Sequence, residues 1–271
     1  MDAVATTALL VAAIRAEESR RDDRLFDDPF AADLAGELGV ETLKSYRSAG
    51  AGPSVPIIEV RTRFLDEALA RAVAGGSGQL VILAAGMDAR AYRLPWPAGM
   101  RIYEIDQAAV IAYKDGVLAG RQPRCERIAI GADLASDWPP LLGARGFSAT
   151  ARTVWLVEGL TQYLDAAAVH RLLGRIDALS APGSRLLFDV VGRSLLESHV
   201  TAGMLDMMAR LGAPWKFGTD EPEELVTALG WDATVTEPGV VGGQWGRWPF
   251  AVPPRHIPGI PRGYLVEAVK R

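Results

Sequence analysis

Cysteine and histidine are scarce in this sequence, and its basic residues are not clustered. The single cysteine, Cys125, excludes a disulfide framework and a site built from several thiolate ligands. The three histidines are scattered and do not have the helical spacing of a common zinc motif. The formal net charge is −4, without the basic patch that nucleic-acid binding requires. We therefore expect no metal centre and no nucleic-acid partner.

Long hydrophobic runs are also missing. No run approaches the roughly 20 apolar residues that a membrane-spanning helix needs. The apolar stretch at residues 3–14 has no basic leader and continues into charged residues, which predicts an amphipathic helix rather than a signal peptide. With 49% hydrophobic residues in a chain of 271, one good core can form. The sequence predicts a cytoplasmic protein with one compact domain and no membrane partner, and it gives no indication of the oligomeric state.

A short apolar run followed by small residues organises the chain. Residues 80–83 are continuously apolar, as is typical of a parallel strand buried on both faces. Ala84 and Gly86 then end the strand where the backbone turns and a ligand can approach closely. A second strand ends at Asp106, 20 residues beyond Gly86, a spacing that suits a carboxylate on the hydroxyls of a ribose. The pattern predicts a nucleoside-containing cofactor, although the Gly-x-Gly-x-x-Gly fingerprint is absent.

Strand and helix patterns alternate along the rest of the chain. The predicted strands cover residues 80–83, 102–106, 127–131, 153–157 and 185–191, followed by two that could pair as a hairpin, 232–236 and 263–269. This order predicts an α/β fold with a doubly wound, mostly parallel sheet of seven strands.

About 75 residues of mainly helical pattern precede the first strand. We predict helices over residues 3–18, from Asp28 to near Gly39, and over 57–74, with a flexible connector at 50–53. Residues 1–75 are therefore expected to form an N-terminal helical cap over the cofactor edge of a core at 76–271. Within the core we predict an insertion at about 193–217, helical over 194–211, and a long unstructured loop at about 238–262 with a functional role.

Acidic residues follow four of the predicted strands. They are Asp88, Asp106, Asp133 and Glu158. Because the carboxyl ends of parallel strands lie at one edge of a sheet, these acids could meet a ligand with several hydrogen-bond donors and a cation. The alternative is that they are ordinary helix caps and loop residues.

Several longer motifs resemble one known family. They are RAEESR at residues 15–20, LFDDPF at 25–30, RTR at 61–63, AAGMDARAYRL at 84–94, YEID at 103–106, EGLTQYL at 158–164 and FGTDEP at 217–222. Together they resemble the leucine carboxyl methyltransferase-like group of class I S-adenosylmethionine-dependent methyltransferases, which includes bacterial polyketide O-methyltransferases. The resemblance runs nearly end to end. It implies a Rossmann-like methyltransferase sheet and S-adenosyl-L-methionine as the cofactor.

The resemblance also implies roles for individual residues. Arg61 matches the position that meets the carboxylate of the cofactor's methionyl group, and Glu158 matches one near its amine. Arg63 is a second arginine candidate, but residues two apart on a helix diverge, so we expect only one of the two to face the pocket.

The nucleoside half of the cofactor has its own candidates. The resemblance places Ala84 and Gly86 in the turn against the cofactor and Asp106 at the ribose, and Glu104 lies on the same strand face as Asp106. Asp133 and the backbone of Leu134 match the residues that contact the adenine. Asp88, which follows the first strand, is the remaining candidate for cofactor binding.

Ala84 departs from the family, whose members usually have glycine there, and Ala89 stands where threonine or serine is usual. An extra methyl group at the turn is expected to weaken cofactor binding. Two other hypotheses therefore stay open: a cofactor-binding scaffold without activity, and a nicotinamide-dependent oxidoreductase, which the missing glycine fingerprint disfavours.

The acceptor side is less defined. The resemblance implies an oxygen acceptor, and methyl-esterification of a natural-product carboxylate is one possibility. The clusters Met204, Met207, Met208, Leu211, Trp215, Phe217 and Trp245, Trp248, Phe250 are either packed cores or walls for an apolar or aromatic small molecule. A carboxylate acceptor is already ionised, whereas a phenol profits from a base. The candidates for a catalytic group are Tyr163, His199 and His256.

Overall fold

The computed structural model describes residues 3–48 and 55–271, and within them seven strands form one mixed sheet. The strands are β1 Gln79–Leu83, β2 Arg101–Asp106, β3 Glu126–Gly131, β4 Thr153–Val157, β5 Arg185–Val191, β6 Trp231–Thr236 and β7 Gly263–Lys270. The strand order is β3-β2-β1-β4-β5-β7-β6. The first five strands are parallel, β7 is antiparallel to β5, and β6 is antiparallel to β7. The predicted doubly wound α/β sheet with a closing hairpin is confirmed.

Helices cover both faces of the sheet. They are α1 Ala3–Ser19, α2 Ala31–Ser48, α3 Ile57–Ala74, α4 Arg90–Arg93, α5 Ala108–Val117, α6 Pro139–Ala144, α7 Ala166–Ala178, α8 Arg193–Glu197, α9 Ala202–Arg210, α10 Glu224–Thr227 and α11 Pro238–Gln244. A short 3₁₀ turn spans Thr161–Tyr163. The connector predicted at 50–53 lies outside the described residues. In the described part of the chain, no helix is long and apolar enough to cross a membrane.

The central strands are apolar because both of their faces are covered. All five residues of β1 are buried, as are all five of β4. Leu80 and Ile82 pack into the core that contains α1 and α3, whereas Val81 and Leu83 pack into the core that contains α7. This alternation explains why β1 is a continuous hydrophobic run.

The order of the strands places a crevice at one edge of the sheet. β1 pairs with β2 on one side and with β4 on the other, so the connections leave β1 and β4 in opposite directions. Ligands of open α/β sheets bind at the carboxyl ends of strands at such a reversal. The loops that follow β1, β2 and β4 all meet there.

One predicted helix end was wrong. The helix after Asp28 does not end near Gly39 but continues to Ser48, with an interruption at Gly36, where φ is +56°. Gly39 has a packing role instead, because a Cβ at that position would lie 2.6 Å from the carbonyl oxygen of Leu9 on α1. The glycine therefore allows α1 and α2 to approach closely and does not stop the helix.

Two other predicted segments are divided differently. The helix predicted over residues 194–211 is broken at Ser198, which is extended, so that α8 and α9 are separate. The late loop is not wholly irregular, since Pro238 begins α11. Gly239 and Gly242 of α11 lie against Trp248, where a Cβ would come within 3.0 Å and 3.2 Å of the indole respectively.

Candidate active site

A cavity of about 930 Å³ lies at the carboxyl edge of the sheet. The loops after β1, β2, β3 and β4 form its floor. Residues of α1, α2, α3, α7, α9 and the segment between β6 and β7 form much of its wall. Ligand cavities range over roughly 300–1,000 Å³, so this one is at the large end of that range.

The turn after β1 is held by the acid at the end of β2. The backbone N–H of Gly86 donates to Oδ2 of Asp106 over 2.6 Å, and the N–H of Gln107 donates to Oδ1 over 2.7 Å. Gly86 has a φ of +44°, and a Cβ there would lie 3.1 Å from the Cβ of Ala8 on α1. The close turn expected at Gly86 therefore forms directly beneath α1, and it lines the cavity together with Asp106.

Ala84 is in a strained conformation. Among the described residues it is the one non-glycine residue with a positive φ, +54°. For an L-residue with a side chain this region costs about 1–2 kcal/mol relative to right-handed backbone. Ala84 also lines the cavity, so the strained turn lies where a ligand would approach the end of β1.

Replacing Ala84 with glycine is therefore expected to tighten cofactor binding several-fold. The relieved strain and the higher entropy of unfolded glycine nearly cancel, so the free energy of unfolding should change by about 1 kcal/mol or less. Titration calorimetry and thermal melts measure the two effects. Ala91→Gly is the control: Ala91 is buried in α4 with a normal φ and does not line the cavity, so this change should destabilise without tightening binding. Weaker binding by Ala84→Gly would show that the methyl group contributes a contact.

Arg61 joins the ends of β4 and β5 from α3. Its side chain is buried, and it donates from Nε to Oε1 of Glu158 and from Nη1 to Oδ2 of Asp189, both over 2.9 Å. The other oxygen of Asp189 accepts the backbone N–H of Gly159 over 2.6 Å. Asp189 thereby fixes both the guanidinium group and the turn after β4.

Arg90 connects the same acid to the turn after β1. Its Nη1 donates to Oε2 of Glu158 over 2.7 Å and also to Asp88, and its Nε donates to Asp66 over 2.7 Å. Burial opposes ionisation of Asp88, but the charges of Arg90, Lys114 and Arg93 and the backbone N–H of Arg90 together outweigh it and lower the pKa of Asp88 to about 2. Burial likewise opposes ionisation of Glu158, and Arg90 and Arg61 together keep its pKa below the ordinary range. Both carboxylates are ionised at neutral pH.

The ion-pair network extends under α1. Arg93 donates to both oxygens of Asp66, over 2.6 Å and 2.8 Å, and lies 3.8 Å from Asp28. Arg15 of α1 pairs with Asp28 over 3.0 Å and donates to the carbonyl of Met87 over 2.6 Å. Counted from Arg15 to Asp189, the network contains four arginines and five carboxylates, so it carries one excess negative charge.

The loop after β3 supplies the far end of the cavity. Asp133 and Leu134 both line it. Asp133 accepts the N–H of Ala135 through Oδ1 over 2.8 Å, which orders the loop, and Arg175 of α7 donates to the carbonyl of Leu134 over 3.1 Å. The predicted residues Arg61, Ala84, Gly86, Asp88, Asp106, Asp133, Leu134 and Glu158 all line one cavity.

Two predicted cofactor residues do not line the cavity. Arg63 points away from Arg61 because residues two apart on a helix lie far apart around its axis; it pairs with Glu67 over 2.8 Å and stacks on Trp245. Glu104 shares a strand face with Asp106, but it lies deeper in the sheet, fully buried, with Lys114 at 2.9 Å and Arg127 at 2.7 Å. Both predictions are corrected: these residues have structural partners elsewhere.

The prediction that His199 or His256 is a catalytic group at the site is also corrected. His199 and His256 are exposed and do not line the cavity. His199 lies where the predicted long helix is interrupted, and that break turns it outward. In contrast, Tyr163 lines the cavity, with its hydroxyl 3.3 Å from Oγ1 of Thr7 on α1. Within residues 3–48 and 55–271, no group of three or more metal-ligating side chains is present.

Asp189 and Arg90 also belong to the site, although neither was predicted from the sequence. Asp189 had a visible signature, because it is the one charged residue inside the otherwise apolar end of β5, and a buried charge in a strand needs a partner. Arg90 appeared only as one position of the motif at residues 84–94. Its role depends on Asp66 and Glu158, which are distant in sequence.

Known proteins resemble this chain in both sequence and fold. Residues 8–177 match the family described as "Leucine carboxyl methyltransferase". A protein of Saccharopolyspora erythraea named "Putative S-adenosyl-L-methionine-dependent methyltransferase" is 45% identical over 213 residues, covering 76% of this chain and 74% of that protein. One of the same name from Mycobacteroides abscessus is 47% identical over 193 residues, covering 68% of this chain and 63% of that protein.

Two crystal structures show the same fold at low sequence identity. A DUF574 family protein of Streptomyces avermitilis has a TM-score of 0.66 at 14% identity, covering 98% of this chain and 97% of that one. A protein of Thermobifida fusca described as a "putative methyltransferase" has a TM-score of 0.62 at 17% identity, covering 92% of this chain and 94% of that one. These likenesses concern the architecture alone.

Proposed function

The chain belongs to the leucine carboxyl methyltransferase family and is an S-adenosylmethionine-dependent methyltransferase, and we propose that it methylates an oxygen atom of a small apolar or aromatic acceptor. The observation that carries the proposal is one cavity in which polar strand ends and an apolar wall meet. The apolar wall includes Met204, Met208, Trp215, Trp248 and Phe250. The cavity volume leaves room for an acceptor beside the cofactor.

The chemistry of the lining residues fits S-adenosylmethionine. The carboxylate of Asp106 would accept from the ribose hydroxyls, and Asp133 with the Leu134 backbone would meet the adenine. Arg61 would hold the methionyl carboxylate, and Glu158 would accept from the methionyl amine. At neutral pH the cofactor has one net positive charge, which complements the excess negative charge of the ion-pair network.

When bound, S-adenosylmethionine supplies an electrophilic methyl group for an in-line displacement. The residues of this chain contribute orientation and exclusion of water. Arg61 and Glu158 are themselves held by Asp189 and Arg90, so the group they bind would be fixed in position before the acceptor arrives. Residues 1–75 and the insertion at about 193–217 would act as covers, since α1 and α9 both line the cavity.

Two acceptor classes are compatible with this arrangement. A natural-product carboxylate would be ionised and need no base, giving a methyl ester. A hydroxyl would need a base, and Tyr163 is the one of our three proposed catalytic groups that reaches the cavity.

Titration of the purified protein with S-adenosylmethionine and then with its demethylated product tests the cofactor site first. We expect micromolar binding of at least one of them. The cofactor-loaded protein is then incubated with matched aryl carboxylic acids, phenols and anilines, and methylated products are identified by mass spectrometry. Methylation on oxygen supports the proposal. Cofactor binding with transfer only to nitrogen or carbon would overturn the oxygen acceptor, and no binding by a folded sample would favour a non-catalytic scaffold.

A further inference from the structure

The cavity extends from the sheet edge to the three N-terminal helices. The part of its wall formed by α1, α2 and α3 is mainly apolar and includes Leu10, Val11, Ile14, Leu43 and Ile58. We call it the helical pocket. The polar side chains that line the cavity from the same helices are Thr7, Arg15, Tyr46, Arg47, Glu59 and Arg61, and Glu59 is the one carboxylate among them.

Glu59 differs from the carboxylates at the sheet edge. Glu158, Asp189 and Asp88 each accept hydrogen bonds from an arginine or a backbone N–H. Glu59, in the first turn of α3, is half-buried, and no other described side chain donates a hydrogen bond to it or forms an ion pair with it. It is therefore a partly desolvated carboxylate without a partner side chain.

The charged groups around Glu59 are already engaged. Arg47 of α2 donates to both oxygens of Glu17. Arg247, which follows α11, pairs with Asp23 over 3.0 Å and with Glu18. Burial raises the pKa of Glu59, and the nearby charge of Glu18 adds to the effect, while a hydrogen bond from its own backbone N–H and the charges of Arg247 and Arg47 only partly oppose it. Burial also raises the pKa of Tyr46, with a contribution from Glu59.

A partly buried carboxylate that is paired with no side chain still costs free energy unless a further donor or a cation meets it. We infer that the helical pocket binds the apolar frame of the acceptor and that Glu59 accepts a hydrogen bond from a hydroxyl or ammonium group on that frame. A second carboxylate at this point would be repelled. The inference rests on the proposed function, because it describes the acceptor of that site. The hydroxyl or ammonium group that Glu59 would bind is a different group of the acceptor from the oxygen that is methylated.

Three probes of one frame test this selectivity: 4-phenylbutylamine, 4-phenylbutan-1-ol and 4-phenylbutyrate. Their affinities are measured by ligand-observed NMR on protein saturated with the demethylated cofactor. We expect the amine and the alcohol to bind at least about ten-fold more tightly than the acid, a difference that one charge-assisted hydrogen bond can supply. Equal or tighter binding of the acid would overturn the inference.

Glu59→Gln assigns the selectivity to this residue. The amide removes the charge but still accepts from a hydroxyl, so amine affinity should fall about ten-fold while alcohol affinity stays within about three-fold. Glu41→Gln is the control, because Glu41 is an exposed acid of α2 outside the cavity wall. An unchanged ranking in Glu59→Gln would also overturn the inference. Binding of the demethylated cofactor should match wild type in both variants, whereas its absence in wild type would instead count against the proposed function.

The same variant should change the pH dependence of stability. Because the folded-state pKa of Glu59 is raised above its unfolded value of about 4.3, folding favours the protonated form. Wild type should therefore lose stability relative to Glu59→Gln as the pH rises from the unfolded pKa through the folded one. Thermal melts over pH 4–8 measure the difference. Parallel curves for the two proteins would mean that the carboxylate is solvated, which contradicts an unpartnered group in the pocket.

Discussion

Replacing Asp106 with alanine is expected to weaken S-adenosylmethionine binding by more than about 100-fold while the protein stays folded. Hydrogen bonds to a charged group contribute about 1.5–3 kcal/mol each, and the substitution would remove the two that we propose between Asp106 and the ribose hydroxyls. The variant also releases the Gly86 N–H, which Asp106 accepts over 2.6 Å, so the turn against the cofactor loses its anchor. Calorimetric titration measures the affinity, and a melting curve checks folding.

Asp106→Asn separates charge from shape in this prediction. Both carboxylate oxygens accept backbone N–H groups, from Gly86 and from Gln107, so an amide would direct its NH₂ group at one of these donors. We therefore expect asparagine to lose most of the affinity as well. The control is Asp137→Ala, because Asp137 is an exposed acid near the same sheet edge that does not line the cavity. If Asp106→Ala bound the cofactor like wild type, the end of β2 would have no part in the site.

The sheet and its ligand edge could be predicted because they depend on local patterns. Residues 153–157 and 185–191 are mainly apolar runs of strand length, and both strands form with those bounds. The helix at 57–74 has regular apolar spacing between Pro56 and Gly75, and its bounds were also correct. The acids at the strand ends converge because parallel strands end together, which the strand order alone dictates.

The errors occurred where tertiary contacts override local preference. Gly39 is a typical helix stop by composition, but the close approach of α1 gives it another role. Glu104 and Asp106 share a strand face, yet Lys114 from α5 pairs with the first and leaves only the second at the open edge. The outward position of His199 depends on a helix break that the apolar pattern of residues 194–211 does not reveal.

The partner of Arg61 could not be read from spacing either. Arg61 is 97 positions from Glu158 and 128 from Asp189, so only the fold brings the three together. The sequence does place a charged residue at two positions predicted to be buried: an arginine on the apolar face of a helix and an aspartate in a buried strand. Each predicts an oppositely charged partner without identifying it.

Replacing Arg61 with alanine is expected to impair both stability and cofactor binding. The change leaves Glu158 and Asp189 with uncompensated charge in a buried setting, and breaking such a pair costs about 3–5 kcal/mol. The lower end of that range applies, because Arg90 still pairs with Glu158 and Gly159 still donates to Asp189. Chemical denaturation measures the free energy of unfolding, and calorimetric titration should show the affinity reduced by at least about 100-fold.

Arg63→Ala is the matched control on the same helix. Arg63 is half-exposed, pairs with Glu67 and stacks on Trp245, contacts that are worth about 1 kcal/mol or less. Cofactor affinity should not change. Equal loss of affinity in the two variants would remove Arg61 from the binding set and attribute its effect to the fold alone.

The pH dependence of Arg61→Ala distinguishes lost charge pairing from lost packing. In wild type the pKa of Glu158 is lowered, so its contribution to stability is present above the unfolded pKa of about 4.3 and is lost as the pH falls through the folded value. Without Arg61 the folded pKa of Glu158 rises, and protonation removes the uncompensated charge at a higher pH. The difference in unfolding free energy between wild type and variant should therefore narrow as the pH falls from 7 toward about 4. A constant difference over that range would mean that Arg61 acts through packing and not through its charge.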